Sequence, residues 1–207
     1  MSSTVNYQVG AGADDGYWVG DTFVNDAEDG DMCGDYFDYP FTLFLRFTGV
    51  TIPVGATITA SKIQLYYRFS EEYDEGADPK CTIYADDQAN PSAVSSLSDG
   101  DGRTKTTASV AADLPESGTW WDSPELKTII QELVNSYSYA SGSAMQFLLP
   151  GNPAGAGCIF IHSYDTNPLK AAKLSITYTE ASTDLEPALV GGKLIFGGLT
   201  LNGLVGR

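Results

Sequence analysis

The sequence predicts an all-β fold, an antiparallel two-sheet jelly-roll sandwich with one short amphipathic helix and an extended C-terminal arm. Three observations predict it. Segments with period-2 alternation recur at short spacing, separated by clusters of Gly, Asp and Pro. Only one segment has helical periodicity, which excludes a parallel α/β fold. The 207 residues include 22 glycines, 12 tyrosines and 9 phenylalanines, a composition that suits many turns and aromatic-rich strands.

The cleanest alternation lies in Phe41 to Phe69. Leu43, Leu45 and Phe47 share one face of a first strand, with Thr42, Phe44 and Arg46 on the other. Ile63, Leu65, Tyr67 and Phe69 share one face of a second, alternating with Lys62, Gln64, Tyr66 and Arg68. Pro53 and Gly55 interrupt the apolar run between them.

The other elements follow in chain order. Val5 to Val9 is a short strand, Gly10 to Gly16 a Gly/Asp turn, and Tyr17 to Val24 a second strand. Asn25 to Tyr39 is read as an acidic loop holding Asp26, Glu28, Asp29, Asp31, Asp35 and Asp38, with Asp21 just before it and Gly30 and Gly34 supplying turns. Glu71 to Asp78 is a second acidic loop, Lys80 to Ala85 a strand, and Asp86 to Gly102 a long polar connection. Thr106 to Ala112 is a weak strand, and Trp120-Trp121 falls within the segment 114–122. Leu126, Ile129, Ile130, Leu133 and Val134 recur at i, i+3, i+4, i+7 and i+8, which predicts a helix over Pro124 to Tyr137 with Ser123 as N-cap. Ala144 to Leu149, Cys158 to Tyr164 and Lys173 to Thr179 complete the strands.

The character changes after Thr179. Residues 1–179 read as the sandwich domain, 180–187 as a linker and 188–207 as an apolar Gly/Leu-rich arm. Leu194, Phe196, Leu199, Leu201 and Leu204 are its expected anchors, because glycines disfavour a helix and an uncovered apolar segment is an aggregation hazard. Adding a strand to another subunit's sheet edge is one way such an arm docks.

The formal net charge is −16, a field that disfavours nucleic acid and anionic membrane surfaces. No apolar run has the length of a membrane helix, and MSSTVNYQVGAGADD lacks the basic-then-apolar layout of a secretory signal. Cys33, Cys81 and Cys158 have neither zinc-site spacing nor an even count, and read as buried apolar residues. A Cys81–Cys158 bridge requires those two strands to adjoin.

Catalytic chemistry is not legible. His162 is the one histidine and falls in a strand pattern, without a G-x-S-x-G nucleophile motif or a second base. GAGADDG has no Lys-Ser/Thr, and its carboxylates would repel phosphate. The many Asp and Glu residues single out no carboxylate pair, so no enzyme is expected. Calcium is the cofactor these residue types suit: Asp14 and Asp15 sit in one turn, and Asp86, Asp87 and Asn90 in another, offering carboxylate, amide and backbone oxygens. For glycan contact the candidates are Trp121, Tyr36, Phe37 and Tyr39, with one ring of Trp120-Trp121 facing in and one out.

Several collinear pieces carry a family resemblance. FLRFTGVTIPVGATITASKIQLYY is followed by IYADDQANPSA, a Trp before SPEL, IIQELVNSYSYASGSAMQFLL and HSYDTNPLKAAKLSITYT, with VNYQVGAGADDGYW at the start. Together, over roughly residues 5 to 179, they resemble the DNRLRE-type, disaggregatase-related jelly-roll domains. The resemblance implies a non-catalytic β-sandwich related to carbohydrate-binding modules, of a kind found in extracellular bacterial proteins and bacteriophage structural proteins. Family Asp positions match Asp14, Asp15, Asp86, Asp87 and Asp165. The acidic stretch Asp26 to Asp38 and the apolar arm depart from the pattern. The functional expectation is a virion structural protein, such as a capsid decoration, head-fibre or tail component. It would be made in the host cytoplasm, with other virion proteins or copies of itself as partners. A carbohydrate-binding module that attaches to surface glycans is the alternative.

Overall fold

A computed structural model describes residues 1–25, 30–72, 78–115, 119–136, 139–155, 157–181, 188–190, 193–196 and 199–200. The strands are β1 (Ser2–Gln8), β2 (Asp15–Val19), β3 (Thr22–Val24), β4 (Asp31–Tyr36), β5 (Tyr39–Val50), β6 (Thr57–Glu72), β7 (Lys80–Ala85), β8 (Val110–Asp113), β9 (Trp120–Asp122), β10 (Ser143–Pro150), β11 (Gly157–Ile161) and β12 (Lys173–Thr179). The helices are α1 (Leu97–Asp101) and α2 (Lys127–Asn135). All pairings are antiparallel, in the order β1-β12-β6-β11-β4-β5-β10-β7-β8, with β2 added to β5, β3 to β2 and β9 to β6. The fold is an all-β sandwich made by one continuous sheet that curls onto itself, so β4 and β11 join the two layers.

The alternation in Phe41 to Phe69 is realised in β5 and β6, but the two strands do not pair. Six residues of turn and extended chain, 51 to 56, separate them, and the sheet order sets β11 and β4 between them. Each strand anchors one layer. Leu43, Leu45 and Phe47 from β5 and Ile63 and Leu65 from β6 are fully buried in a single core with Ile83, Phe147, Leu149, Ile159, Leu174 and Ile176. Burying each such side chain contributes roughly 1.5–3 kcal/mol. The Tyr139 hydroxyl fixes the crossing by donating to the Ile52 carbonyl at 3.0 Å.

The helix is shorter than its periodicity. Ile129, Ile130, Leu133 and Val134 do face the core, but α2 begins at Lys127. Ser123 does not cap it. Its hydroxyl accepts from the Ile63 amide at 3.0 Å and donates to the Pro124 carbonyl at 2.8 Å, which ties the approach to the helix onto β6. The polar side of α2 and its approach clamp β6 and one loop: Glu125 accepts from the Ser61 amide at 2.7 Å and Gln131 from that of Ile58 at 2.8 Å, both on β6, and Glu132 accepts from Thr107 and Ala108 in the loop before β8 at 2.7 and 2.8 Å.

Two other expectations change. Residues 31–36 are a strand, not loop, because β11 and β5 supply ladders on its two sides. At Gly34 (φ 118°) the backbone lies so close to Gly157 that a Cβ would sit 2.5 Å from its carbonyl oxygen. Asp26, Glu28 and Asp29 lie outside the described residues. The connection 86–102 is not merely polar surface. Its Val94 is buried with Trp18, Phe44 and Leu148 in a second small core on the outer face of the β2-β5-β10 layer, with Leu97 against it. Cys33, Cys81 and Cys158 are buried and form no disulfide, and burial pushes the Cys33 thiol well up.

Ala188–Val190 (β13), Lys193–Phe196 (β14) and Leu199–Thr200 (β15) form a separate three-stranded antiparallel sheet. Among the described residues no helix is long and apolar enough to cross a membrane.

Candidate functional site

Side chains expected to act together are distributed over four places. The first is a junction of buried acids. A 3-10 turn at Gly12–Asp14 delivers Asp14 and Asp15 to the start of β2. Asp14 is used up by Arg46 on β5: guanidinium and carboxylate meet at 2.6 Å, and the Arg46 Nε donates to the Pro91 carbonyl at 2.8 Å. Asp15 points elsewhere. One of its oxygens accepts from the Tyr164 amide at 2.7 Å, and burial pushes its carboxyl up to about 7. Asp31 is also buried, and burial followed by the charges of Asp15 and Asp165 holds it well above the carboxylate range.

The second place is across the outer face of the β5-β10-β7 layer. Asp86 is fully buried and pairs with Arg103 at 2.7 Å, and Arg103 reaches Asp99 at 2.9 Å. Burial raises Asp86 despite that partner. Asp87 is exposed, and the Asn90 amide oxygen accepts from Ala144 at 2.8 Å. The five sequence-predicted ligands Asp14, Asp15, Asp86, Asp87 and Asn90 therefore do not converge on one point. Among the described residues no three His, Cys, Asp or Glu side chains are placed to hold a metal ion.

The third place is the outer face of the β9-β6-β12 layer. The register pairs Trp121 with Leu65 and Trp120 with Tyr66. Trp121 thereby packs against the core, and Trp120 takes the outward position. The Trp120 and Tyr66 rings meet edge to face at 5.1 Å, and His162 meets Tyr66 at 5.4 Å. Two ammonium groups lie on these rings, Lys173 at 3.9 Å from the Trp120 centroid and Lys170 at 4.3 Å from that of Tyr66. Attraction between a cation and the negative face of the ring holds such pairs together. Along the same strands Lys173 is opposite Gln64 and Ser175 opposite Lys62, leading into a shallow pocket of about 250 Å³ lined by Lys62, Glu125, Ser175 and Thr177. Lys62 pairs with Asp122. Sequence reasoning missed Tyr66, Lys170 and Lys173 because they lie on three different segments. The signal available was the clustering of rare cations: 11 Lys and Arg against 27 Asp and Glu.

The fourth place is the hairpin tip between β4 and β5. Tyr36 pairs with Tyr39, so Phe37 and Asp38 form the two-residue loop, with φ of 53° and 63°. Positive φ at both positions gives the strands the twist that a two-residue hairpin needs. Phe37 and Tyr39 are 58 % and 62 % exposed, and the Phe37 ring sits edge-on to Tyr36 at 4.6 Å. Tyr36, Phe37 and Tyr39 thus form an outward aromatic tip, far in sequence from Trp120.

Of the arm anchors, Leu194, Phe196 and Leu199 fall in β14 and β15. Leu201 and Leu204 lie outside the described residues. No protein-family model and no curated protein matches the chain.

Proposed function

We propose that this protein is a non-enzymatic structural component of a virion, a decoration, head-fibre or tail protein whose sandwich is displayed outward and whose C-terminal arm anchors it to copies of itself or to other virion proteins. The observation that carries this reading is the separateness of β13-β14-β15, which shares no ladder with the twelve-stranded sheet among the described residues. Strands of two to four residues do not make a sheet that stands alone in water. The segment's Leu, Ile, Val and Phe residues, with only Lys193 and Arg207 as charges, suit burial against another subunit. The resemblance of residues 5 to 179 to domains of bacteriophage structural proteins supports the same reading. The test compares the full chain with residues 1–181. The truncated form should melt at the same temperature and stay monomeric, and it should be missing from purified particles. Its incorporation at the level of the full chain would overturn the proposal.

A second reading, glycan attachment, is favoured by the Trp120–Tyr66 face. Aromatic rings accept the C–H faces of sugars, and the neighbouring Lys170, Lys173 and Lys62 would suit a saccharide that carries carboxylate or sulfate groups. Glycan-array binding that disappears in Trp120→Ala supports this reading, and a flat array with the intact chain counts against it.

A further inference from the structure

The acid junction at the start of β2 holds two carboxylates whose environment does not account for them. Asp15 and Asp31 are each 1 % exposed. Asp15 Oδ1 and Asp31 Oδ2 are buried without a hydrogen-bond partner among the described residues. A buried ionised carboxylate is expensive unless a charge or a full set of donors compensates it. The described ion pairs give neither residue a Lys or Arg: Arg46 is taken by Asp14, and Arg103 by Asp86 and Asp99. A third carboxylate adjoins them. Asp165, exposed in the turn after β11, lies directly over Gly12, where a Cβ would fall on its oxygens. The Tyr164 amide bond to Asp15 fixes that turn against β2, and the pairing of Asp31 with Ile161 fixes the start of β4 against the end of β11.

We propose that Asp15, Asp31 and Asp165 form a binding site for one calcium ion, which locks the starts of β2 and β4 to the turn after β11. The donors are all oxygen, which selects a hard cation over zinc or copper. The junction is irregular, built from a 3-10 turn, a strand start after Gly30 (φ 91°) and a loop. That suits calcium, with its six to eight ligands at about 2.3–2.6 Å, better than the strict octahedron of magnesium. Asp15 Oδ1 and Asp31 Oδ2 supply the buried ligands, Asp165 swings inward as the third, and backbone carbonyls and water complete the set. Among the described residues no three such side chains are already placed to hold a metal ion, so binding requires the three to draw together. This site is independent of the arm and of the Trp120 face.

The test uses the full chain, with thermal melts in chelator, calcium chloride, magnesium chloride and sodium chloride at matched ionic strength, and calorimetric titration with calcium. One calcium should bind per chain. At a hundredfold excess over Kd the midpoint should rise by roughly 5–10 °C, with magnesium giving less and sodium nothing. Asp31→Asn should abolish the response. Asp165→Ala removes an exposed side chain, so it should fold normally in chelator and bind calcium at least tenfold more weakly, which keeps the test decisive if Asp31→Asn does not fold. Asp113→Ala, which loses a surface partner of Lys80, should respond like the intact chain. Identical melts in calcium and chelator would overturn the proposal and leave protons as what neutralises the two buried acids. Equal calcium shifts in the intact chain and Asp165→Ala would also overturn it, because screening of the net negative charge would then explain the effect.

Discussion

The Lys173 ammonium lies 3.9 Å from the centre of the Trp120 ring, on the outer face of a layer whose inner face packs the half-buried Trp121 against the core. Adjacent tryptophans in one strand thus do opposite things. Trp120→Ala should cost little stability and remove binding to acidic glycans, if the face takes them. Trp121→Ala should cost about 3 kcal/mol or more, from lost burial and the cavity left behind. Urea denaturation of both variants checks the contrast; equal losses would show that both rings serve the core.

Arg103 is the counter-ion of a carboxylate with no exposure to water. Arg103→Met should destabilise the fold by about 3–5 kcal/mol, because Asp86 is left buried and unpaired. Adding Asp86→Asn should recover a large part of that loss. A double-mutant cycle measures it, and strict additivity would show that the two side chains act independently.

Phe37 has φ of 53°, a conformation that costs a bulky L-residue about 1 kcal/mol. Phe37→Gly should therefore stabilise the hairpin by up to about 1 kcal/mol. Loss of partner or glycan binding in the same variant would show that the exposed aromatic is kept for contact. A destabilised variant would show that ring packing on Tyr36 outweighs the backbone strain.

Burial, then the charges of Lys170 and Arg68, lower the pKa of His162 below its usual 6.5. The unfolded chain then binds this proton more readily than the folded one. The contribution of His162 to stability is complete above about pH 6.5 and declines as the pH falls toward the folded value. Asp15, with its carboxyl pushed up to about 7, works in the opposite direction between about pH 4 and 7, so the difference between the intact chain and His162→Gln isolates the histidine. That difference should change with pH below 6.5 and be flat above it. An NMR titration placing the imidazole at or above 6.5 would contradict the lowered value.

Local pattern made much of the scaffold legible. The alternation of Leu43, Leu45 and Phe47, and of Ile63 and Leu65, marks core faces because side chains alternate across any strand, whatever it pairs with. The face of Ile129, Ile130, Leu133 and Val134 was equally readable, whereas the true start of α2 was not, because Ser123 bonds to β6 instead of capping. Residues 31–36 showed no alternation that could compete with their Gly and Asp content, and neighbouring strands made them β4.

What the sequence determined by itself was the fold class and the inward faces of the long strands. Both rest on periodicity or composition, which act over a few residues. The tertiary structure decided the rest. It put β5 and β6 in different layers, turned Trp120 outward through its register with Tyr66, and brought Asp15, Asp31 and Asp165 to one junction. Those relationships depend on which distant strands pair and in what register, and the free energy that selects them is the burial of a shared core.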